Sequence, residues 1–278
     1  MPELRCSLAS EDDAEPIAGT APTESEWLFV EDAGPWPAKA TKHLAEHVAR
    51  LAPGGRAQLI RRHGGGSGPG VRVFRASLGA TPSVSEVVLR DYADLGGVAT
   101  TDFTPYGGPL WLVCTNGRRD VCCAERGRPV AAALAARWPE GTWETTHLGG
   151  HRFAATLLAL PHAVALGRLD AFTAVEACTD LEAGRLPLDV TRGRAGWPGA
   201  AQWADLSLRD ESGWTGLGDV DLLHVEKEPA ARAVRLSTPD GPQTVRVVSE
   251  PGGERLASCG DALPKTTSTF ARAPSESV

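Results

Sequence analysis

The sequence predicts an α/β protein in which one sheet-forming unit occurs twice, followed by a smaller α+β segment. Three observations carry this. Short apolar stretches of strand length alternate with longer amphipathic or alanine-rich stretches of helix length. The order strand, helix, strand, hairpin, helix is read before residue 105 and again after it. Local echoes tie the two passes: R-R-H-G-G-G around His63 against T-H-L-G-G-H around His147, and L-R-D-Y-A-D-L from Leu89 against G-R-L-D-A-F from Gly167. With 278 residues, 42% hydrophobic and 23% charged, the chain has the composition of globular protein and room for two to three small domains.

Residues 1–25 read as an irregular lead. Residues 26–105 form the first α/β unit. Trp27–Val30 is a strand ended by Gly34-Pro35. Pro37 opens an amphipathic helix over Ala38–Leu51, closed by Pro53-Gly54-Gly55. Ala57–Ile60, Val71–Ala76 and Val87–Leu89 are strands, with a short turn or helix near Tyr92–Leu95. Residues 106–188 repeat the order. Leu110–Val113 is a strand, Cys122–Trp138 a helix, Trp143–Thr146 a strand, Ala155–Leu160 and Ala163–Leu166 a hairpin about Pro161, and Asp170–Leu181 a helix. This order is that of a thioredoxin-like domain. Residues 189–278 carry a helix at Gly199–Arg209 and short strands at Ala233–Leu236, Val245–Val248 and Arg255–Ala257. Turns fall at Pro239-Asp240-Gly241 and Pro251-Gly252-Gly253, and a loose tail follows Pro274.

The chemistry concentrates in two pairs. C-T-N-G-R-R-D-V-C-C puts eight residues between Cys114 and Cys123, and H-L-G-G-H places His147 and His151 around two glycines. Cys114 follows the first strand of the second unit and His147 follows its second strand, so both pairs are expected at the same edge of one sheet. Two thiolates and two imidazoles complete either a tetrahedral zinc site or a two-iron cluster with cysteines on one iron and histidines on the other. Gly149, Gly150 and Gly117 allow close backbone approach. Arg118, Arg119 and Asp120 are expected around the ligands rather than among them. Trp111 and Trp143 neighbour the ligand loops and are candidates to shield them.

With C-T-N-G-R-R-D-V-C-C-A from Cys114 and H-L-G-G-H-R-F-A from His147, the chain resembles the sucrase/ferredoxin-like family of thioredoxin-like iron–sulfur proteins. E-P-I-A-G-T-A at Glu15–Ala21, W-L-F-V-E at Trp27–Glu31, G-R-P after the cysteine doublet and A-S-C-G at Ala257–Gly260 extend the resemblance over most of the chain. It implies a [2Fe–2S] cluster on Cys114, Cys123, His147 and His151, with the family spacing selecting Cys123 over Cys122. It also implies a thioredoxin-like ferredoxin domain, preceded by a cluster-free domain of similar topology. One-electron transfer to or from an unidentified redox protein follows, so the chain is an electron carrier rather than a stand-alone enzyme. The alternative is a zinc-stabilised binding or scaffold protein using the same four residues. No carboxylate pair stands out as glycosidase machinery.

The remaining signals exclude or subtract. A net charge of −7 argues against nucleic acid as partner, and no apolar run has the length of a membrane span. The polar, acidic Met1–Glu15 lacks a secretory pattern, so the expected location is cytoplasmic, where cysteines stay reduced. His43-Leu44-Ala45-Glu46-His47 matches an inverted zinc-peptidase signature but reads better as part of a sheet-covering helix. The Gly64–Gly70 loop lacks the ending of a phosphate loop. C-x-x-C is absent, which argues against disulfide exchange at the doublet. Cys178 is expected in the core. Cys6 and Cys259 have no role beyond packing or contact between the chain ends.

Overall fold

The computed structural model describes residues 5–39, 44, 55–66 and 68–274. The architecture is mixed α/β, with one ten-stranded sheet and one four-stranded sheet. The expected helix over Ala38–Leu51, with the His43 and His47 motif, lies outside the described residues apart from isolated positions. Among the described residues, no helix is long and apolar enough to cross a membrane.

The large sheet is two four-stranded blocks joined edge to edge. The first holds β1 (Glu26–Glu31), β2 (Arg56–Arg61), β3 (Val71–Ser77) and β4 (Ser83–Leu89). The short β5 (Thr104–Pro105) extends it beyond β4. The second block holds β6 (Leu110–Cys114), β7 (Thr142–Thr145), β8 (Leu157–Leu160) and β9 (Val164–Leu166). In each block the first two strands are parallel, the third lies antiparallel against the first, and the fourth antiparallel against the third. The seam is β2 against β7, antiparallel, through Ile60↔Thr145 and Arg61↔Glu144. The strand-end loops of the two blocks therefore leave at opposite ends of the sheet. β10 (Thr191–Arg194) closes the far edge beside β9.

Alternation along the strands sorts side chains between the two faces. Trp27, Phe29, Ile60, Phe74, Leu112, Trp143 and Leu158 share one buried face that runs across both blocks. Beneath the second block, Trp111, Val113, Leu157 and Leu166 pack against two helices, α2 (Val121–Arg137) and α3 (Ala171–Glu182). Asp170 caps α3 in a reciprocal box with Thr173. Helix α4 (Gly199–Ser212) ends on Gly213, whose φ of 72° suits glycine. Its alanines lie on the small sheet of β11 (Asp221–Lys227), β12 (Arg232–Ser237), β13 (Gln243–Arg255) and β14 (Lys265–Arg272).

Three expectations need correction. The N-terminal lead is not irregular throughout, because Cys6–Asp12 forms a short helix, α1, with Cys6 and Ser10 buried. Pro251-Gly252-Gly253 is not a turn between strands. It is an irregularity inside β13, where the register to β14 shifts between Pro251 and Glu254. The expected strand Arg255–Ala257 is only the end of β13, after which the chain turns through residues 256–264.

Candidate metal centre

β6 and β7 run parallel with Cys114 opposite Thr145, so the loops that follow them leave the sheet together. Helix α2 begins directly after the first loop. Its N-cap is Asp120, whose carboxylate accepts from the Cys122 N–H at 3.0 Å. Cys122 and Cys123 thus stand in the first turn, where the positive end of the helix favours thiolates. Helix and strand approach closely through Gly127, where a Cβ would collide with the Cys114 carbonyl oxygen.

Three of the four expected residues meet. The Cys123 sulfur lies 3.8 Å and the Cys114 sulfur 4.0 Å from His147 Nδ1, and the donor atoms of all three are within 4.8 Å of one another. Both cysteines are buried, while His147 is half-exposed. His151 falls outside that tight group but packs against His147, with ring centroids 4.8 Å apart and planes at 78°. It is buried, and neither ring nitrogen has a hydrogen-bond partner among the described residues. Its Nε2 faces the Asp120 carboxylate at 3.6 Å, beyond hydrogen-bond length, so the buried ring has a charged neighbour but no hydrogen bond, and burying such polar atoms costs free energy.

The electrostatics suit ligands. The hydrogen bond from Cys123 and the neighbouring His147 outweigh burial and hold the Cys114 thiol well below its ordinary value. Burial and the His147 charge press His151 down to about 4, against the pull of Asp120, so it is neutral at physiological pH. Burial would raise the Asp120 carboxyl, but the Cys259 N–H, His151 and Ser258 together hold it below the usual range.

The histidine loop is fixed from outside. Arg56 and Gln58 on β2 donate to the His147 carbonyl at 2.7 and 3.1 Å. Thr146 continues the β2–β7 pairing through its backbone bond to Leu59 at 3.0 Å. Gly149 and Gly150 both have positive φ, 98° and 70°. A Cβ on Gly150 would meet the buried Arg192 guanidinium, which itself donates to the Gly149 carbonyl at 3.1 Å. Sequence reasoning missed Arg56, Gln58 and Arg192. All three come from strands remote in sequence, and nothing local marks them.

Trp143 and Leu148 share the apolar cluster that surrounds Cys114 and Cys123, as a shield would. Trp111 does not, since it points to the opposite face and packs on Trp138. Arg118 is exposed, and Arg119 lines a cleft of about 200 Å³ beside His147 together with Lys39 and Arg56. Cys178 is a core residue of α3, as expected. Cys122 turns away from Cys123 toward a second group of thiols formed with Cys6 and Cys259.

A family model described as sucrase/ferredoxin-like matches residues 17–182. No curated protein and no solved structure matches the chain.

Proposed function

The chain belongs to the sucrase/ferredoxin-like family, and on that premise we propose that it is a one-electron carrier whose [2Fe–2S] cluster is held by Cys114, Cys123, His147 and His151. The observation that carries the reading is His151: a buried imidazole with no hydrogen bond at either nitrogen among the described residues, its Nε2 3.6 Å from the Asp120 carboxylate, packed on the one histidine that already faces two buried thiols. The repeated order of parallel pair plus antiparallel hairpin supports a thioredoxin-like unit in each block, with the second as the ferredoxin domain.

When bound, the cluster supplies a centre that takes up and releases one electron. The chain does the rest. Cys114 and Cys123 offer thiolates from a strand end and a helix start, two elements locked together at Gly127. Trp143 and Leu148 keep water from the sulfurs. Arg56, Gln58 and Arg192 hold the histidine loop by its carbonyls, leaving both imidazoles free. His147 is the accessible edge, and Lys39, Arg56 and Arg119 make its surroundings basic. An acidic face on the redox partner suits this mouth. A cytoplasmic location, with thiols kept reduced, goes with this reading.

One observation favours zinc as a second reading. Cys114, Cys123 and His147 stand at separations that a single ion spans, whereas ligands on two different irons stand farther apart. Metal and sulfide analysis of protein from iron-replete cells decides. Two irons and two acid-labile sulfides per chain, bound at these residues, are expected. Stoichiometric zinc at this site without sulfide, in protein that never held iron, overturns the electron-transfer reading.

A further inference from the structure

Cys6, Cys122 and Cys259 are separated by more than a hundred residues from one another, yet their thiols converge. The sulfur separations are 3.8 Å for Cys6–Cys122, 3.3 Å for Cys122–Cys259 and 3.5 Å for Cys6–Cys259. The Asp120 carboxylate closes the group, its two oxygens 3.7 and 3.8 Å from the Cys6 sulfur. All four donors lie within 4.8 Å of one another, and only Cys259 is not fully buried.

Those separations discriminate. A tetrahedral ion with metal–sulfur bonds of about 2.3 Å sets its sulfurs about 3.8 Å apart. A disulfide needs about 2.05 Å between two sulfurs and would strand the third. A polynuclear cluster spreads its thiolates farther than any pair here. Protonated, the thiols hydrogen-bond to the carboxylate and to one another, and a cation that replaces those protons would be held by all four donors at once. The surroundings are also those of bound thiolates and carboxylate. The Cys6 N–H points at the Cys259 sulfur at 3.4 Å. The N–H groups of Cys122 and Cys259 and the Ser258 hydroxyl donate to Asp120 at 3.0, 2.9 and 2.9 Å.

We propose that Cys6, Cys122, Cys259 and Asp120 form a second, mononuclear zinc site that fastens both ends of the chain to the first turn of α2. Binding releases the three thiol protons to solvent and involves no redox step. None of its residues belongs to the set Cys114, Cys123, His147 and His151, so the site stands whether that set holds iron or zinc. Cys6 and Cys259 also lie outside the family-matched residues 17–182. The adjacent cysteines divide between the centres, Cys123 inward and Cys122 outward.

Zinc content and zinc absorption-edge spectroscopy on the full chain, purified anaerobically with Zn²⁺ in the medium, test this. In the Cys114→Ser/Cys123→Ser variant, which removes the other metal's thiols, one zinc per chain in a shell of three sulfurs and one oxygen is expected. Adding Cys6→Ser or Cys259→Ser to that variant should remove it. Absence of zinc from the Cys114→Ser/Cys123→Ser variant overturns the proposal, and so does nitrogen in its zinc shell. A mass two hydrogens low from a Cys122–Cys259 disulfide in the fresh wild-type protein overturns it equally.

Discussion

The two blocks of the large sheet share strand order and strand senses, yet they use their strand ends differently. At the end of β2 in the β1–β4 block, polar groups are satisfied across the seam by acids on and beside β7. Arg61 pairs with Glu144 at 2.7 Å and lies over Trp36, Arg62 reaches Glu140 and covers Trp143, and His63 pairs with Glu144 at 2.9 Å. In the β6–β9 block two thiols and an imidazole crowd together, and the next imidazole makes no hydrogen bond among the described residues. The scaffold thus supplies the same kind of loop position twice. Opposite charges close one of them into structure. A set of electron-pair donors keeps the other open for a metal.

The largest effect should come from the cysteine doublet. Cys123→Ser is expected to remove essentially all cluster iron, and Cys122→Ser to leave iron and visible absorption nearly unchanged. Iron and sulfide counts on both variants check this. The reverse outcome would mean that Cys122, not Cys123, serves the site.

Gly127→Ala comes next. Helix propensity alone favours alanine by about 1 kcal/mol. The clash with the Cys114 carbonyl should reverse the sign, for a net loss of about 1–3 kcal/mol in urea unfolding. An unchanged midpoint would show that strand and helix are not locked there.

Glu144 sharpens the contrast through pH. Burial works to raise its carboxyl, but hydrogen bonds from Arg61, His63 and Thr115 hold it below the ordinary value. A carboxyl depressed in the folded state stabilises above its unfolded value of about 4.3 and loses that contribution as pH falls through the folded value. Stability should therefore fall on acidification below about pH 4.5. Glu144→Gln should be less stable at neutral pH and show a flatter acid limb in urea midpoints measured from neutrality downward.

The smallest effect is expected for Gln58→Ala. It removes one donor to the His147 carbonyl while Arg56 keeps the other, and it removes the acceptor of the Thr146 hydroxyl, at a cost of about 1–2 kcal/mol. Iron content should stay intact. A large loss of iron would mean that the first block does more than steady the histidine loop.

Much of this was legible in the sequence, and the omissions have physical causes. The strands of both blocks and helices α2, α3 and α4 show apolar patterning or capping signals, and the sequence reading finds them within a few residues of their ends. β14 does not, because K-T-T-S-T-F-A-R is an edge strand with little buried surface to pattern. β11 is an edge strand for the same reason. Helix α1 spans only Cys6–Asp12 and has no side-chain cap, so tertiary contact rather than propensity forms it. Cys114, Cys123 and His147 announced themselves through paired spacing. The grouping of Cys6 with Cys122 and Cys259 left no such trace, since ligand spacing is informative only within one loop.

That long-range contact has a consequence for the order of synthesis. Cys6 leaves the ribosome well before Cys259, whose thiol it meets and which is made 253 positions later. At about 5–20 residues per second, α1 waits on the order of ten seconds or more for that partner. Both sheet blocks are complete long before then, and through this interval Cys122 stands beside the nascent chain without Cys259. The later loop finishes what the earlier helix began, so a chain released short of residue 259 would have its large sheet while α1 lacked its anchor.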